Sequence, residues 1–329
     1  MYSRTNWTML SAVKQFWAAC RTRRGRWVVN AVSVFFAIAV SLLAARHFAE
    51  EGWPLRNANY GLVAVAGVCF LLAYAFKALG WSRLFLPHER PESMALAAAG
   101  GAASVTGAAL PGRFDDVVRV AVVRRYPGCP SGIPNLCLSL FTLGLIDAAA
   151  LMPFASTAAA TSDTSAPVRA ALAVIAAAGL AAMAVVVTMP RITANGRVIR
   201  FRLAQWVHAH CTPAGDAWRA WILVLASWIT RAVALLFLLQ ALGVALSMPI
   251  AVAFLVAAAA SGALPVAPAG AVTQAGAGAA ILIASGVGTA EAIAFAVAAQ
   301  TLLILAGAAV VLAAAVWQGG RRLGLVPAL

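Results

Sequence analysis

Residues 94–125 read MALAAAGGAASVTGAALPGRFDDVVRVAVVRR, a run of small apolar residues that ends at Pro111-Gly112 and leads directly into two aspartates and four arginines. Pro and Gly interrupt helices, and the backbone groups that they free in a membrane must be satisfied inside the protein or by water in a cavity. The stretch therefore predicts a re-entrant or broken helical element. The alternative is an ordinary close-packed helix, because Gly and Ala let helix backbones approach each other.

The rest of the chain has the composition of an integral membrane protein. Of its 329 residues, 63% are apolar and 10% are charged, against about 25% charged residues in ordinary soluble domains. Several apolar runs reach the roughly 20 residues that cross the hydrocarbon core of a bilayer. We therefore predict an all-α, polytopic membrane helix bundle with six full spans, at about 27–46, 60–82, 133–154, 167–189, 217–245 and 289–317.

A second interrupted element follows the fifth of these spans. Residues 250–268, IAVAFLVAAAASGALPVAP, contain Pro265 and Pro268 near their end, and the small-residue run GAVTQAGAGAAILIAS follows at 270–285. Three full spans separate the two elements, so they are predicted to enter the membrane from opposite faces. Many transporters build a substrate site from oppositely directed broken helices that meet near the bilayer midplane.

The distribution of charge predicts the topology. The formal net charge is +14, but the basic residues flank the apolar runs instead of alternating with stacking aromatic residues, which argues against nucleic-acid binding. If both termini are cytoplasmic, the outer segments contain only Arg46, Arg56 and Arg169, while Lys77 and Arg231 fall within spans. All other Lys and Arg residues then lie in inner segments, as expected for a protein of the cytoplasmic (inner) membrane.

This topology divides the chain into three parts. Residues 1–26 form a basic cytoplasmic segment, 27–317 form the transmembrane domain, and 318–329 form a short cytoplasmic tail. Within the domain, an inner loop at about 190–216 predicts an amphipathic helix on the inner leaflet, with an apolar face formed by Ile192, Ile199, Leu203 and Trp206.

Two ionisable residues, Asp147 and Arg231, lie inside predicted spans. Such residues are costly in a membrane and are functional candidates by default. Both are about 13 or 14 positions from the inner end of their span, or roughly 20 Å at helical rise, so they can meet at one depth. The alternatives are a purely structural ion pair, or two residues that face separate wet crevices.

The charged part of the opening stretch predicts an anion site. Asp115 is four positions and Asp116 three positions before Arg119, so acid and base share one face if the segment is helical. A helix that begins after Pro111-Gly112 directs free N–H groups at the break, where an anion such as phosphate is favoured. Arginine adds a planar fork that matches phosphate oxygens. We therefore predict that the cluster lies at the cytoplasmic end of the broken element, where it meets lipid headgroups. The alternative is an interfacial loop with solvated charges.

Enzymatic and metal-binding patterns find little support. The Asp115-Asp116 pair is a candidate for Mg²⁺ on a lipid pyrophosphate, but such a site needs further carboxylates and the others are scattered along the chain. The sequence contains no phosphate-binding loop, H-E-x-x-H or G-x-S-x-G motif. The five cysteines lack C-x-x-C spacing, and His208 and His210 lie on opposite sides of the predicted helix. We therefore expect no enzyme activity, cofactor or metal site.

These motifs resemble the lysylphosphatidylglycerol synthase transmembrane region, also called the flippase-like family. The family pattern P-x-R-x-G-E-x-x-R corresponds to residues 111–119, which read PGRFDDVVR. Its later Pro-Gly-rich break corresponds to Pro268, Gly270 and Gln274. The chain departs from the pattern at four places: Asp115-Asp116 replaces Gly-Glu, Gln274 stands at an acidic position, Thr142-Leu143 stand where an arginine precedes Asp147, and Gln300 stands at a late arginine position.

The resemblance implies movement of an anionic or aminoacylated phospholipid, or of a glycolipid, between leaflets, through a charge network thinner than that of relatives. Without the soluble aminoacyltransferase domain of the full synthases, the chain is not expected to make lysyl lipid. We predict that Arg113, Arg119 and Arg231 contact the headgroup phosphate and that Asp115, Asp116 and Asp147 orient them. The breaks and cavity are assigned to Pro111, Gly112, Pro265, Pro268, Gly270, Gln274 and Gln300.

Two other functions remain open at this stage. The chain is alternatively a membrane scaffold or an accessory subunit of a glycosyltransferase or another cell-envelope enzyme, with structural ion pairs. The weaker alternative is a lipid-modifying enzyme that uses Asp115-Asp116. The expected partners are membrane lipids, with an envelope enzyme as a further candidate, and the sequence leaves the lipid and the oligomeric state open.

Overall fold

The computed structural model of the chain describes residues 56, 58–109, 114–126, 129–161, 166–196, 199–243, 248–262 and 270–322. These residues form ten α-helices and one short 3-10 helix, Pro87–Glu89, and contain no strand, which confirms the all-α prediction. The helices are α1 (Tyr60–Ser82), α2 (Ser93–Ala109), α3 (Phe114–Arg125), α4 (Ile133–Thr161), α5 (Ala166–Ala194), α6 (Arg202–His210), α7 (Ala214–Ala241), α8 (Met248–Gly262), α9 (Gly270–Ala284) and α10 (Thr289–Arg322).

Five helices, α1, α4, α5, α7 and α10, are long and apolar enough to cross a membrane. They correspond to five of the six predicted spans; the first, at 27–46, lies outside the described residues. Helix α1 has the predicted bounds, whereas α7 ends at Ala241, before the predicted 245, because Gly243 has a φ of 72° that ends the helix. Helix α10 continues to Arg322, so the predicted tail from 318 begins inside a helix.

One end of the bundle, called here the basic end, is where α1, α5 and α10 end and where α2, α4 and α7 begin. Trp81 Nε1 donates a hydrogen bond to Ser139 Oγ at 3.0 Å, which joins the end of α1 to the start of α4. Arg321 Nη1 lies 2.6 Å from Glu92 Oε1 and joins the end of α10 to the start of α2. Most of the described basic residues gather here, among them Arg83, Arg90, Arg124, Arg125, Arg191, Arg200, Arg202, Arg219 and Arg321.

The opposite end of the bundle, called the far end, is where α1 and α10 begin and α7 ends. The Asn59 N–H donates to the Ala241 carbonyl at 3.0 Å, which links the start of α1 to the end of α7. Among the described residues, the basic side chains at this end are Arg56 and Arg169. The two ends therefore differ strongly in charge.

The two interrupted elements are pairs of short helices that enter from opposite ends. Helices α2 and α3 pack against each other and connect to the basic end, whereas α8 and α9 pack against each other and connect to the far end. Their lengths of 12 to 17 residues fall below the roughly 20 that a full span needs. Helix α2 contacts α9, so the two pairs meet inside the bundle. The breaks, at 110–113 and 263–269, lie outside the described residues.

Glycines bring helix backbones together at several crossings. A Cβ added to Gly101 of α2 would lie 2.4 Å from the Gly307 carbonyl oxygen of α10, and one added to Gly179 of α5 would lie 2.6 Å from the Ala148 carbonyl oxygen of α4. Small residues thus provide the close packing that drives helix association in membranes. The small-residue segments are both broken and closely packed, so the two interpretations of the sequence are compatible.

The inner loop differs from the single amphipathic helix that its pattern predicts. Ile192 belongs to the end of α5, and only Arg202–His210 form the separate helix α6. Asn195 and Gly196, residues that favour turns, divide the predicted helix. Phe201 and Leu203 are exposed beside Arg200 and Arg202, so the amphipathic character is retained in a shorter element.

Candidate functional site

The charged residues of α3 form the local cluster that their spacing predicts. Arg119 Nη2 lies 3.3 Å from Asp115 Oδ2, and Arg119 Nη1 lies 3.0 Å from Asp116 Oδ1. Both pairs follow from the helical periodicity, since residues three and four apart are neighbours on a helix surface. The aspartates occupy the first turn of α3, where the helix dipole also favours negative charge.

Arg119 lines a cavity inside the bundle, whereas the sequence predicted it at the outer end of the element, which was expected to be cytoplasmic. The cavity lies between α1, α2, α3, α4 and α7 and has a volume of about 40 Å³. That space holds about three water molecules, the scale of a phosphate group rather than of a whole lipid. Its polar wall is formed by Tyr74, Lys77, Ser104, Arg119 and Arg231, and its apolar wall by Ala78, Trp81, Leu96, Ala97, Gly100 and Leu143.

Asp147 is paired with a lysine of α1. Lys77 Nζ lies 2.7 Å from Asp147 Oδ2, and Trp228 Nε1 of α7 donates a hydrogen bond to Asp147 Oδ1 at 3.2 Å. Both carboxylate oxygens therefore have partners, on two different helices. Lys77 and Asp147 are each 21% exposed, so the pair is largely withdrawn from the surface.

Arg231 shares Trp228 with this pair but makes no direct ion pair with Asp147. Its guanidinium carbon lies 4.9 Å from the centre of the Trp228 ring and 5.9 Å from that of Tyr74. Such cation–π contacts hold the guanidinium in place without neutralising it. Arg231 Nε is buried and has no hydrogen-bond partner, and none of the ion pairs among the described residues includes Arg231.

Gln274 and Gln300, the two positions where the resemblance implies an acid and an arginine, are in contact. Gln300 Nε2 of α10 donates to Gln274 Oε1 of α9 at 3.3 Å. Neither residue belongs to the wall of the cavity. The structure thus brings together two uncharged amides at the positions where the family pattern implies an acid and an arginine.

The structure therefore separates the predicted site residues into groups. It places Arg119 and Arg231 on the cavity, Asp115 and Asp116 against Arg119, and Asp147 against Lys77. Gly270 begins α9. Pro111, Gly112, Arg113, Pro265 and Pro268 lie outside the described residues.

Sequence reasoning missed Lys77, Tyr74 and Trp228. Lys77 could have been identified from the sequence, because a lysine inside an apolar span is as unusual as an aspartate there. Tyr74 and Trp228 could not, since aromatic residues are common in spans. Tyr74 also ties α1 to α10, because its hydroxyl donates to the Leu303 carbonyl at 3.2 Å.

A second, smaller cavity of about 10 Å³ lies at the basic end. Glu89 accepts a hydrogen bond from Asn135 Nδ2 at 2.8 Å, and His210 Nε2 lies 4.0 Å from Glu89 Oε1. Burial raises the pKa of the Cys211 thiol beside them above its ordinary value. Among the described residues, no group of three His, Cys, Asp or Glu side chains is placed to hold a metal ion.

Comparison with known families identifies the architecture. Residues 28–311 match the family described as the lysylphosphatidylglycerol synthase TM region. The chain belongs to this family. It is a multi-pass membrane protein of that family, and the match includes both interrupted helix pairs and every helix that lines the cavity. The curated proteins and the solved structures gave no match to the chain.

Proposed function

We propose that this family member binds the phosphate-bearing headgroup of a phospholipid or glycolipid in the cavity lined by Lys77, Arg119 and Arg231, and moves the lipid between leaflets. The observation that carries the proposal is the wall of the cavity, where three cations converge and one of them, Arg231, has no carboxylate partner among the described residues. A buried cation that lacks a counter-ion is costly in a membrane, and an anionic headgroup would supply one.

The architecture supports movement as well as binding. The α2–α3 pair enters from the basic end, the α8–α9 pair enters from the far end, and α2 contacts α9. Oppositely directed short helices that meet inside a bundle are a recurring basis for alternating access. Here α2 and α3 line the cavity, and the second pair reaches it through the contact of α9 with α2. We propose that the chain performs this transfer without a catalytic step.

The charge difference between the two ends supports an orientation. We propose that the basic end faces the cytoplasm, since cytoplasmic segments of membrane proteins carry an excess of Lys and Arg. On this assignment the protein belongs to the cytoplasmic membrane, with α6 at the inner leaflet, where Arg202 and the preceding Arg200 meet anionic headgroups.

Reconstituted vesicles provide the test, with the accessibility of a lipid headgroup to an impermeant reagent as the readout. Wild-type protein is expected to equilibrate the lipid between leaflets, and Arg231→Gln to slow the process about tenfold, because a charge-assisted hydrogen bond to the phosphate is lost. Arg219→Gln is the matched control, since Arg219 is 69% exposed at the basic end, away from the cavity. An unchanged lipid distribution with and without wild-type protein would refute the proposal and favour the scaffold function.

A further inference from the structure

The two cavities lie one behind the other along the seam between α1 and α4. Neighbouring residues of α4 belong to different cavities, since Thr142 lines the smaller one at the basic end and Leu143 lines the larger one. Trp81 of α1 lines the larger cavity, and its Nε1 donates a hydrogen bond at 3.0 Å to Ser139 Oγ, which lines the smaller one. This contact therefore separates the larger cavity from the basic end.

The contact between Trp81 and Ser139 is buried and satisfied. Trp81 is 2% exposed and Ser139 is 3% exposed. The Ser139 hydroxyl donates its own proton to the Leu136 carbonyl at 2.8 Å, so its oxygen is free to accept the indole N–H. The smaller cavity, at about 10 Å³, has room for about one water molecule. A headgroup therefore cannot pass from the basic end while this contact is closed.

The helices on the two sides of the seam belong to two closely packed pairs. A Cβ added to Gly80 of α1 would lie 2.9 Å from Val224 Cγ2 of α7, and one added to Gly179 of α5 would lie 2.6 Å from the Ala148 carbonyl oxygen of α4. Helices α1 and α4 themselves pack together at few positions. Because closely packed helices move as units, the seam between α1 and α4 separates more easily than either pair does.

We infer that the α1–α4 seam opens at the basic end, and that Trp81 is the gate through which a lipid headgroup reaches the larger cavity. This inference rests on the proposed function and specifies the path to its site. In the structure Trp81 is held by Ser139 and the path is closed. In the open state this hydrogen bond is broken and the two cavities are continuous. A single hydrogen bond between neutral groups contributes little net free energy, so it can break at each passage.

The labelling rate of a thiol in the larger cavity measures how often the gate opens. Ser104→Cys places that thiol on the cavity wall of the full chain, in which the five native cysteines are changed to serine. The detergent-solubilised protein is treated with an impermeant sulfonate thiol reagent. Trp81→Phe keeps an aromatic ring without the N–H and is expected to speed labelling about fivefold, the factor that corresponds to one hydrogen bond. Ser139→Ala is expected to speed it about tenfold, because it leaves the buried indole N–H without an acceptor.

Trp218→Phe and Ser156→Ala are the matched controls. Trp218 is 55% exposed near the start of α7, and the exposed Ser156 hydroxyl donates only within α4, to the Met152 carbonyl. Neither control is expected to change the labelling rate. Unchanged labelling in both gate variants, or an equal increase in the controls, would overturn the gate. The proposed lipid movement would then remain intact, since labelling requires no lipid.

A reversible block tests the path without any substitution in the gate. Cys211 lines the smaller cavity, whereas Cys137 is exposed on α4. Chains that retain only one of these cysteines are modified with benzyl methanethiosulfonate and reconstituted into vesicles that contain phosphatidylglycerol as the probe. The modification is carried out at alkaline pH, because burial raises the pKa of the Cys211 thiol.

Modification of Cys211 is expected to reduce the movement of phosphatidylglycerol to the rate in protein-free vesicles, and reduction of the mixed disulfide is expected to restore it. Modification of Cys137 is expected to leave the rate unchanged. Movement that continues after Cys211 is modified would overturn the path through the smaller cavity. Absence of movement in the unmodified protein would overturn the proposed function, and the use of the gate by a headgroup with it.

Discussion

Lys77 Nζ lies 2.7 Å from Asp147 Oδ2, and this contact joins α1 to α4 at the edge of the cavity. Removing one partner leaves a charge without its counter-ion, which costs about 3 kcal/mol when the pair is buried. We therefore expect Lys77→Met and Asp147→Asn each to lower the unfolding midpoint by about 6 °C in a protein of this size.

The double variant Lys77→Met/Asp147→Asn is expected to be more stable than the sum of the single effects, since neither charge remains. Thermal unfolding of the detergent-solubilised proteins measures the coupling. Strict additivity would show that the two charges do not stabilise each other. Measuring lipid movement in vesicles with the same variants distinguishes a functional ion pair from a structural one. Lys77 lines the cavity, so a functional pair would alter lipid movement, whereas a purely structural pair would alter stability alone.

The part of the site that is local in sequence was predictable, and the part between helices was not. The Asp115, Asp116 and Arg119 cluster depends on helical periodicity alone, so the sequence suffices to place it. The Lys77–Asp147 pair depends on which spans are neighbours and how they are rotated. From the sequence, Arg231 was a reasonable partner for Asp147 because the two residues lie at a similar depth in their spans. In the structure Trp228 contacts both residues and separates the two charges.

The fold was predictable for a different reason. Apolar length and charge distribution determine which segments cross the bilayer, and Pro-Gly positions mark where a helix must break. The inner loop differed because hydrophobic periodicity continues across Asn195-Gly196, where local turn chemistry ends the helix. The contact between Gln274 and Gln300 was unpredictable, since their pairing depends on how α9 packs against α10.

The close approach of α2 and α10 predicts a strong effect at Gly101. A Cβ there would lie 2.4 Å from the Gly307 carbonyl oxygen, a backbone atom that cannot move aside as a side chain can. Gly101→Ala is therefore expected to destabilise the protein by about 2 kcal/mol, a typical cost of overpacking.

Gly67→Ala is the matched control, because a Cβ at this helical glycine would meet nothing within 4 Å. It is expected to be neutral or to stabilise the protein by up to about 1 kcal/mol through helix propensity. Thermal unfolding of the two variants provides the comparison. Similar effects at both positions would mean that the α2–α10 crossing is looser than the structure indicates.

The amide pair Gln274–Gln300 predicts that an ion pair can replace it. Gln274→Glu and Gln300→Arg each introduce an unpaired charge at a partly buried position, so each single variant is expected to be destabilised. The double variant restores neutrality across the same contact. Its coupling energy is expected to be about 1–3 kcal/mol in favour of the pair.

The coupling is obtained from thermal unfolding of the two single variants and the double variant. The combination Gln205→Glu/Gln300→Arg is the control, because Gln205 is exposed on α6 at the basic end and its change should add independently to that of Gln300. An additive result for Gln274→Glu/Gln300→Arg would show that the two side chains do not interact in the folded protein.

The orientation of the bundle predicts which positions an impermeant thiol reagent reaches in intact cells. His88 is exposed at the basic end, whereas Thr289 is exposed at the start of α10, at the far end. In a background with the five native cysteines changed to serine, Thr289→Cys is expected to react in intact cells. His88→Cys is expected to react only after permeabilisation, since the positive charge at its end of the bundle favours the cytoplasmic face. Labelling of His88→Cys in intact cells, with protection of Thr289→Cys, would reverse the assignment of leaflets and with it the face from which α2 and α3 enter the membrane.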